Sequence, residues 1–175
     1  MRTRLDWVKY HADFFTFPTL VSVVLYWQSA FIASHPIVAA LAFVWGFVFW
    51  TFAEYWIHRV ALHGMFWHGT HEQHHKNPSE HVLFPLWYVP GSFVAIFGAF
   101  YLLSLIHIAA FVAFAGFAAG YVWFTNMHHL LHHIDLVPQT WLHRFAIWHN
   151  RHHRLNDRNY GITTNVWDRL FGTSR

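Results

Sequence analysis

"FVAIFGAFYLLSLIHIAAFVAFAGFAAGYVWF", residues 93–124, runs for 32 residues without a formal charge. The number of times it crosses a bilayer decides the architecture. As one helix it would measure roughly 48 Å at about 1.5 Å per residue. The hydrocarbon of a membrane is only roughly 30 Å thick. Two short crossings account for the excess, with a turn around residues 104–107, which hold the only polar side chains near the middle. Each arm then borrows from residues 89–92 or 125–127 to reach the usual minimum of about 17.

Two further uncharged runs, residues 14–33 and 37–53, precede it and are joined by the short link "ASHP", which leaves room only for a hairpin. All eleven Lys and Arg fall in residues 1–13, 54–90 or 128–175. Basic residues in short loops collect on the cytoplasmic side. Four crossings, at about residues 14–33, 37–57, 90–106 and 108–126, put both termini and the clustered histidines on that one face. A single crossing at 93–124 would instead split the histidines between two sides. The expected fold is therefore all-α: an integral membrane protein with four transmembrane helices in two hairpins and a helical cytoplasmic cap, one domain over residues 1–175. The start, with Arg2, Arg4 and Lys9, leads into a long span with no A-x-A cleavage site, so it reads as retained rather than as a signal peptide.

Composition agrees. The chain is 55% hydrophobic, 21% aromatic and 11% charged, against roughly 25% charged for ordinary soluble domains. With no dense basic stripe and no zinc-finger or RNA-binding motif, nucleic acid is not an expected partner. The chain has no cysteine, which excludes thiolate metal sites and leaves nitrogen and oxygen as donors. Residues 81–91, with two prolines and an aromatic pair, read as chain at the headgroup level. Residues 138–153 read as an amphipathic surface helix beginning at Pro138.

The eighteen histidines are clustered. His71, His74 and His75 have the spacing i, i+3, i+4, and so do His149, His152 and His153; on an α-helix such positions share a face, so each trio can aim three imidazoles at one point. His128 and His132 form an i, i+4 pair, and His129 and His133 form a second one about 100° around the same helix. Only one of these pairs can face a shared centre. His58 and His63 lie about 140° apart on a continuous α-helix, so they converge only if that helix ends between them and the chain departs at Gly64. Glu54, four residues before His58, is placed to hold that ring's other nitrogen; alternatively it is a buried acid paired with Arg59 or a histidine. His11, His35, His81, His107 and His143 are isolated and read as interfacial or hydrogen-bonded residues, and His68 as a supporting neighbour. Ten convergent imidazoles exceed the needs of one ion, so the pattern points to two metals. Imidazole suits zinc, copper, iron and nickel alike, and zinc binds such sites more tightly than iron.

"EYWIHRVALH" (54–63), "HGTHEQHH" (68–75), "NMHHLLHH" (126–133), "HNRHH" (149–153) and "NYGITTNVWDRLFGT" (159–173) together resemble the fatty acid hydroxylase superfamily, which includes sterol desaturases, carotenoid hydroxylases and fatty acid 2-hydroxylases. The resemblance covers about residues 50–175. It implies a non-haem di-iron centre that uses O2 to hydroxylate a C–H bond of a lipid, with a fatty acyl chain favoured. Its ligands would be His58, His63, His71, His74, His75, His128, His132, His149, His152 and His153, in the cytoplasmic boxes 58–81 and 128–153. His129 and His133 offer an alternative register for the third box. Zinc can replace iron in purified protein. Since no fused cytochrome b5-like domain is present, electrons are expected from a separate cytochrome b5- or ferredoxin-like donor. Phe66, Trp67, Trp87 and Tyr88 are expected to line an acyl channel or to serve as interfacial anchors. The expected location is the bacterial inner membrane or the endoplasmic reticulum. Competing expectations are a sterol or carotenoid hydroxylase or desaturase, and a histidine-rich metal transporter or sensor.

Overall fold

The computed structural model of the protein describes residues 3–65 and 68–175. Among these residues there are helices and loops and no strand. In chain order the helices are α1 (Arg4–Trp27), α2 (Ser29–Ser34), α3 (Pro36–Trp56), a π-helical segment (Ile57–Met65), α4 (His68–Lys76), α5 (Tyr88–Ser104), α6 (Ala109–His133), α7 (Trp141–Leu155) and α8 (Val166–Leu170). The chain divides into two compact units, residues 1–50 with 83–122 and residues 51–82 with 123–175.

In the first unit the uncharged run breaks at residues 105–108, giving α5 and α6. α5 gains its length at its start, at Tyr88, with Pro90 in the first turn where its missing N–H costs nothing. α1 begins earlier than the expected first span, at Arg4. Thr3 and Asp6 close a capping box there, with the Asp6 amide donating to Thr3 Oγ1 at 3.2 Å and the Thr3 amide to the Asp6 carboxylate at 3.0 Å. α1 stops at Trp27, where Gln28 caps it and α2 follows. The segments Pro36–Gly64 and Ala109–His133 are long and apolar enough to cross a membrane.

This unit is packed with rings and small residues. Phe17, Phe93, Phe114, Phe117 and Tyr121 are buried, with Phe17 and Phe93 4.4 Å apart at their ring centres and Trp50 and Phe117 5.1 Å apart. Tyr121 donates its hydroxyl to Asp13. α3 and α6 meet backbone to backbone: a Cβ on Gly46 would lie 1.8 Å from the Ala113 carbonyl oxygen, and one on Gly116 2.0 Å from that of Phe43. With no hydrophobic drive between helices in lipid, small residues that allow this approach are the usual means of association. Gly116 and Gly120 form a G-x-x-x-G pair within α6.

The second unit has its own core of Met127, Leu131, Ala146 and Ile162, with Phe124, Leu136, Leu142 and Phe145 against it. α7 starts at Trp141 rather than at Pro138, because Thr140 is its cap and accepts from the His143 amide at 3.2 Å. It ends at Asn156, whose φ of 56° is the left-handed stop common at helix C-termini.

Candidate metal centre

All ten histidines of the boxes come together within the second unit, and they sort into two sets. His58, His63, His71, His75 and His152 form one; His74, His128, His132, His149 and His153 form the other. Within each set the five donor nitrogens lie within 4.8 Å of one another. His58, His71, His74, His149 and His152 are buried and the other five partly so.

The sets are assembled differently from the expectation that each trio serves one point. α4 sends His71 and His75 to the first set and His74 to the second. α7 does the reverse, sending His152 to the first and His149 and His153 to the second. The reason is angular: positions i and i+4 are about 40° apart around an α-helix, whereas i+3 lies about 60° to the other side of i. Each H-x-x-H-H box therefore straddles both sets. At their junction the His75 and His153 rings stack at 4.3 Å.

His58 and His63 also converge, with ring centres 5.1 Å apart, but not by the helix ending between them. The helix continues through both in π winding, with Gly64 (φ −102°, ψ −126°) departing only afterwards. A π-helix bonds i to i+5, so residues five apart fall on one face. His128 and His132 use ordinary α winding for the same purpose, at 4.7 Å. His129 and His133 pair with each other at 4.8 Å, His81 lies 5.0 Å from His133, and neither His129 nor His133 enters a five-nitrogen set.

The nitrogens meet through Nε2. His71 Nε2 lies 2.8 Å from that of His58 and 3.0 Å from those of His63 and His75; His63 and His152 are 3.0 Å apart. In the other set the distances are 3.1 Å for His74 and His128, 2.8 Å for His132 and His149, and 3.1 Å for His149 and His153. Hydrogen bonding cannot account for this, because one imidazole nitrogen offers a single proton or a single lone pair, and His71 Nε2 has three partners. An ion does account for it: two nitrogens each about 2.1 Å from a metal and at right angles to each other are ~3.0 Å apart. The donor sets thus fit one ion each.

Electrostatics favours the ligating form. Burial, then the neighbouring imidazoles, hold His71 and His149 well below the ordinary histidine range and also lower His153. Burial likewise lowers His75 and pushes His152 down to about 3. These rings are neutral at physiological pH, as metal binding requires.

Several expectations are corrected. Glu54 does not hold the His58 ring and does not pair with Arg59. Its Oε1 accepts from the amides of Ile162 and Thr163 at 2.7 and 3.0 Å, and its Oε2 from Thr163 Oγ1 at 2.6 Å. His58 Nδ1–H donates instead to the Tyr160 carbonyl at 2.5 Å. Arg59 donates to Tyr55 Oη at 2.9 Å and lies over the ring of Trp56. Asp168, fully buried, went unnoticed in the sequence; it accepts from the amides of Tyr160 and Gly161 at 2.8 Å each and from Thr173 Oγ1 at 2.8 Å. The signal available was an acid set in an aromatic segment. His11 bonds the Trp7 carbonyl, His35 stacks on Phe31 and bonds Ser34, and His107 accepts from the Ala109 amide; none of the three is a member of either set. Phe66, Trp67 and the side chain of His68 lie outside the described residues. Trp87 is exposed and caps the start of α5, whose first residue is Tyr88.

Comparison with known proteins agrees with the motifs. The model of the fatty acid hydroxylase family matches residues 43–173. The chain is 35% identical over 145 residues to the fatty acid 2-hydroxylase of Mus musculus, covering 75% of this chain and 38% of that one. To the dihydroceramide fatty acyl 2-hydroxylase FAH2 of Arabidopsis thaliana it is 32% identical over 143 residues, covering 76% of this chain and 60% of the other. It thus spans about two fifths to three fifths of these relatives. The solved structure of full-length scs7p, with only the hydroxylase domain visible, superposes with a TM-score of 0.72 at 27% identity, over 93% of this chain and 66% of that one. With three quarters of its length matched and its histidine boxes gathered into two sets, the chain belongs to the fatty acid hydroxylase family.

Proposed function

We propose that this protein is a membrane-bound hydroxylase that inserts oxygen at a C–H bond of a fatty acyl chain. The observation that carries the proposal is the pair of five-histidine sets meeting through Nε2, in a chain whose relatives are named as fatty acid 2-hydroxylases and ceramide fatty acid hydroxylases. Those names favour an acyl chain over a sterol or carotenoid. His58, His63, His71, His75 and His152 would hold one iron and His74, His128, His132, His149 and His153 the other. When bound, the two ions supply the O2-dependent oxidation of an unactivated C–H bond.

The chain's own residues provide the setting. Neutral imidazoles present lone pairs to the ions without charge repulsion among themselves. Carbonyls of Tyr160 and Arg158 take the outer N–H of His58 and His152, which fixes which nitrogen faces inward. Four crossings, at about residues 14–33, 37–57, 90–106 and 108–126, would place the histidine boxes and both termini on the cytoplasmic face, where the basic residues gather. Electrons would come from a cytochrome b5- or ferredoxin-like donor.

The test is lipid mass spectrometry of cells with and without the protein. The expected product is an acyl chain heavier by one oxygen. His75→Ala and His152→Ala abolish it, while His35→Ala does not. Identical lipid profiles in the two cells, or equal loss with His35→Ala, would overturn the proposal.

A further inference from the structure

The two histidine sets are built from the same side chain, yet the surroundings of their rings differ. In the His58 set one loop orients two rings. The Nδ1–H of His58 donates to the Tyr160 carbonyl at 2.5 Å, and that of His152 to the Arg158 carbonyl at 2.7 Å. A carbonyl can only accept, so both rings carry the proton on Nδ1 and turn the Nε2 lone pair inward. In the His74 set, the Nδ1 atoms of His149 and His153 are buried and meet no hydrogen-bonding group among the described residues; in the His58 set the same holds for Nδ1 of His75, so the difference lies in the two carbonyl-held rings of His58 and His152.

The orienting loop is itself clamped from two sides. Glu54, one helical turn before His58, takes three hydrogen bonds from Ile162 and Thr163. Asp168, on α8, takes the amides of Tyr160 and Gly161. Thr173 joins Asp168 to Tyr55: it donates to Asp168, so the Tyr55 hydroxyl, 3.0 Å away, donates to it. Arg59 completes the chain by donating to Tyr55. Asn159 fastens the start of the loop to Arg175, exchanging bonds with it at 3.0 and 2.8 Å. The carbonyls of residues 158 and 160 thus have few ways to move. A ring whose outer N–H is held by such a carbonyl is pre-oriented and more basic toward a metal, and losing such a partner typically costs about 10–100-fold in affinity.

We infer that Glu54 and Asp168 are positioning residues which, through the 158–163 loop, make the His58 set the tighter of two metal positions, so that the His74 set releases its ion first. This rests on the two-metal reading of the site given above.

The test uses the full chain in detergent, loaded with Zn2+ and challenged with excess chelator while released metal is followed. The expected wild-type result is two ions per chain leaving in two separate phases of equal size. His149→Ala removes the fast phase and leaves the slow one. Glu54→Gln speeds the slow phase by about 10–100-fold, leaves the fast phase unchanged and still binds two ions at saturation. Thr163→Val, which deletes one hydrogen bond and keeps the buried carboxylate, speeds the same phase by less and covers the event that Glu54→Gln does not fold. Release in a single phase from the wild type, an unmoved slow phase in both variants, or equal acceleration of both phases would overturn the inference. Fewer than two ions bound to wild type would instead overturn the two-metal reading, and the inference with it.

Discussion

The two histidine sets reach similar geometry by different helical windings. His58 and His63, five residues apart, share a face because the chain is π-wound from Ile57 to Met65, whereas His128 and His132, four apart, share one on the regular helix α6. The H-x-x-H-H boxes then supply complementary shares, two rings and one from α4, one and two from α7. The comparison teaches that a ligand spacing has no fixed meaning until the winding of its helix is known. A π turn adds a residue per bonded ring and costs hydrogen-bond quality, and such turns recur at functional sites. Here the added residue is what brings His63 round to His58.

The largest expected effect breaks the first set alone. His71 Nε2 touches three other rings, so His71→Ala should eliminate hydroxylated product and lower the metal content from two ions to one, read by elemental analysis. Retention of both ions would mean that the His58 set is not a metal position.

The next separates the site from its scaffold. In Gly116→Val the new Cβ would meet the Phe43 carbonyl at 2.0 Å, and forced overpacking of this kind costs at least about 1–3 kcal/mol. The thermal unfolding midpoint in detergent should fall clearly, while whatever fraction remains folded still binds two ions. An unchanged midpoint would show that α3 and α6 do not approach so closely.

A smaller, graded effect comes from acid. The unfolded chain takes up protons on its histidines as pH falls through about 6.5, while His152 in the fold stays neutral down to about 3. The unfolded state therefore binds more protons in that window. Stability of the metal-free protein is full above about pH 6.5 and declines as pH falls toward 3, by up to about 1.4 kcal/mol per pH unit for each such ring. Unfolding midpoints of metal-stripped protein at pH 7.5, 6 and 5 check this, and a constant midpoint would contradict the burial that sets His152. The smallest effect is for His35→Ala, whose ring stacks on Phe31: metal content and product should stay near wild type.

How much of this was legible in sequence follows from range. The break in the 93–124 run could be read because an uncharged stretch too long for one crossing must turn where its few polar residues lie. Helical periodicity and the family motifs singled out the ten histidines that the fold gathers. The division of each box between two sets was not legible, since it depends on where α4 and α7 stand relative to the π segment and α6, which no local spacing encodes. The roles of Glu54 and Asp168 were hidden for the same reason: Glu54 bonds residues 108 and 109 positions away. The approach of Gly46 and Gly116 to opposing carbonyls had a visible cue in the G-x-x-x-G of α6, but its partner helix could only be found in three dimensions.

The central claim is that the ten histidines form two separate positions for two ions. The most direct measurement is the metal-to-protein ratio of full-length chain purified from membranes, for wild type, His71→Ala, His149→Ala and the double variant. The expected ratios are two, one, one and none. A wild-type ratio of one, or single variants that each lose both ions, would contradict two independent five-histidine positions.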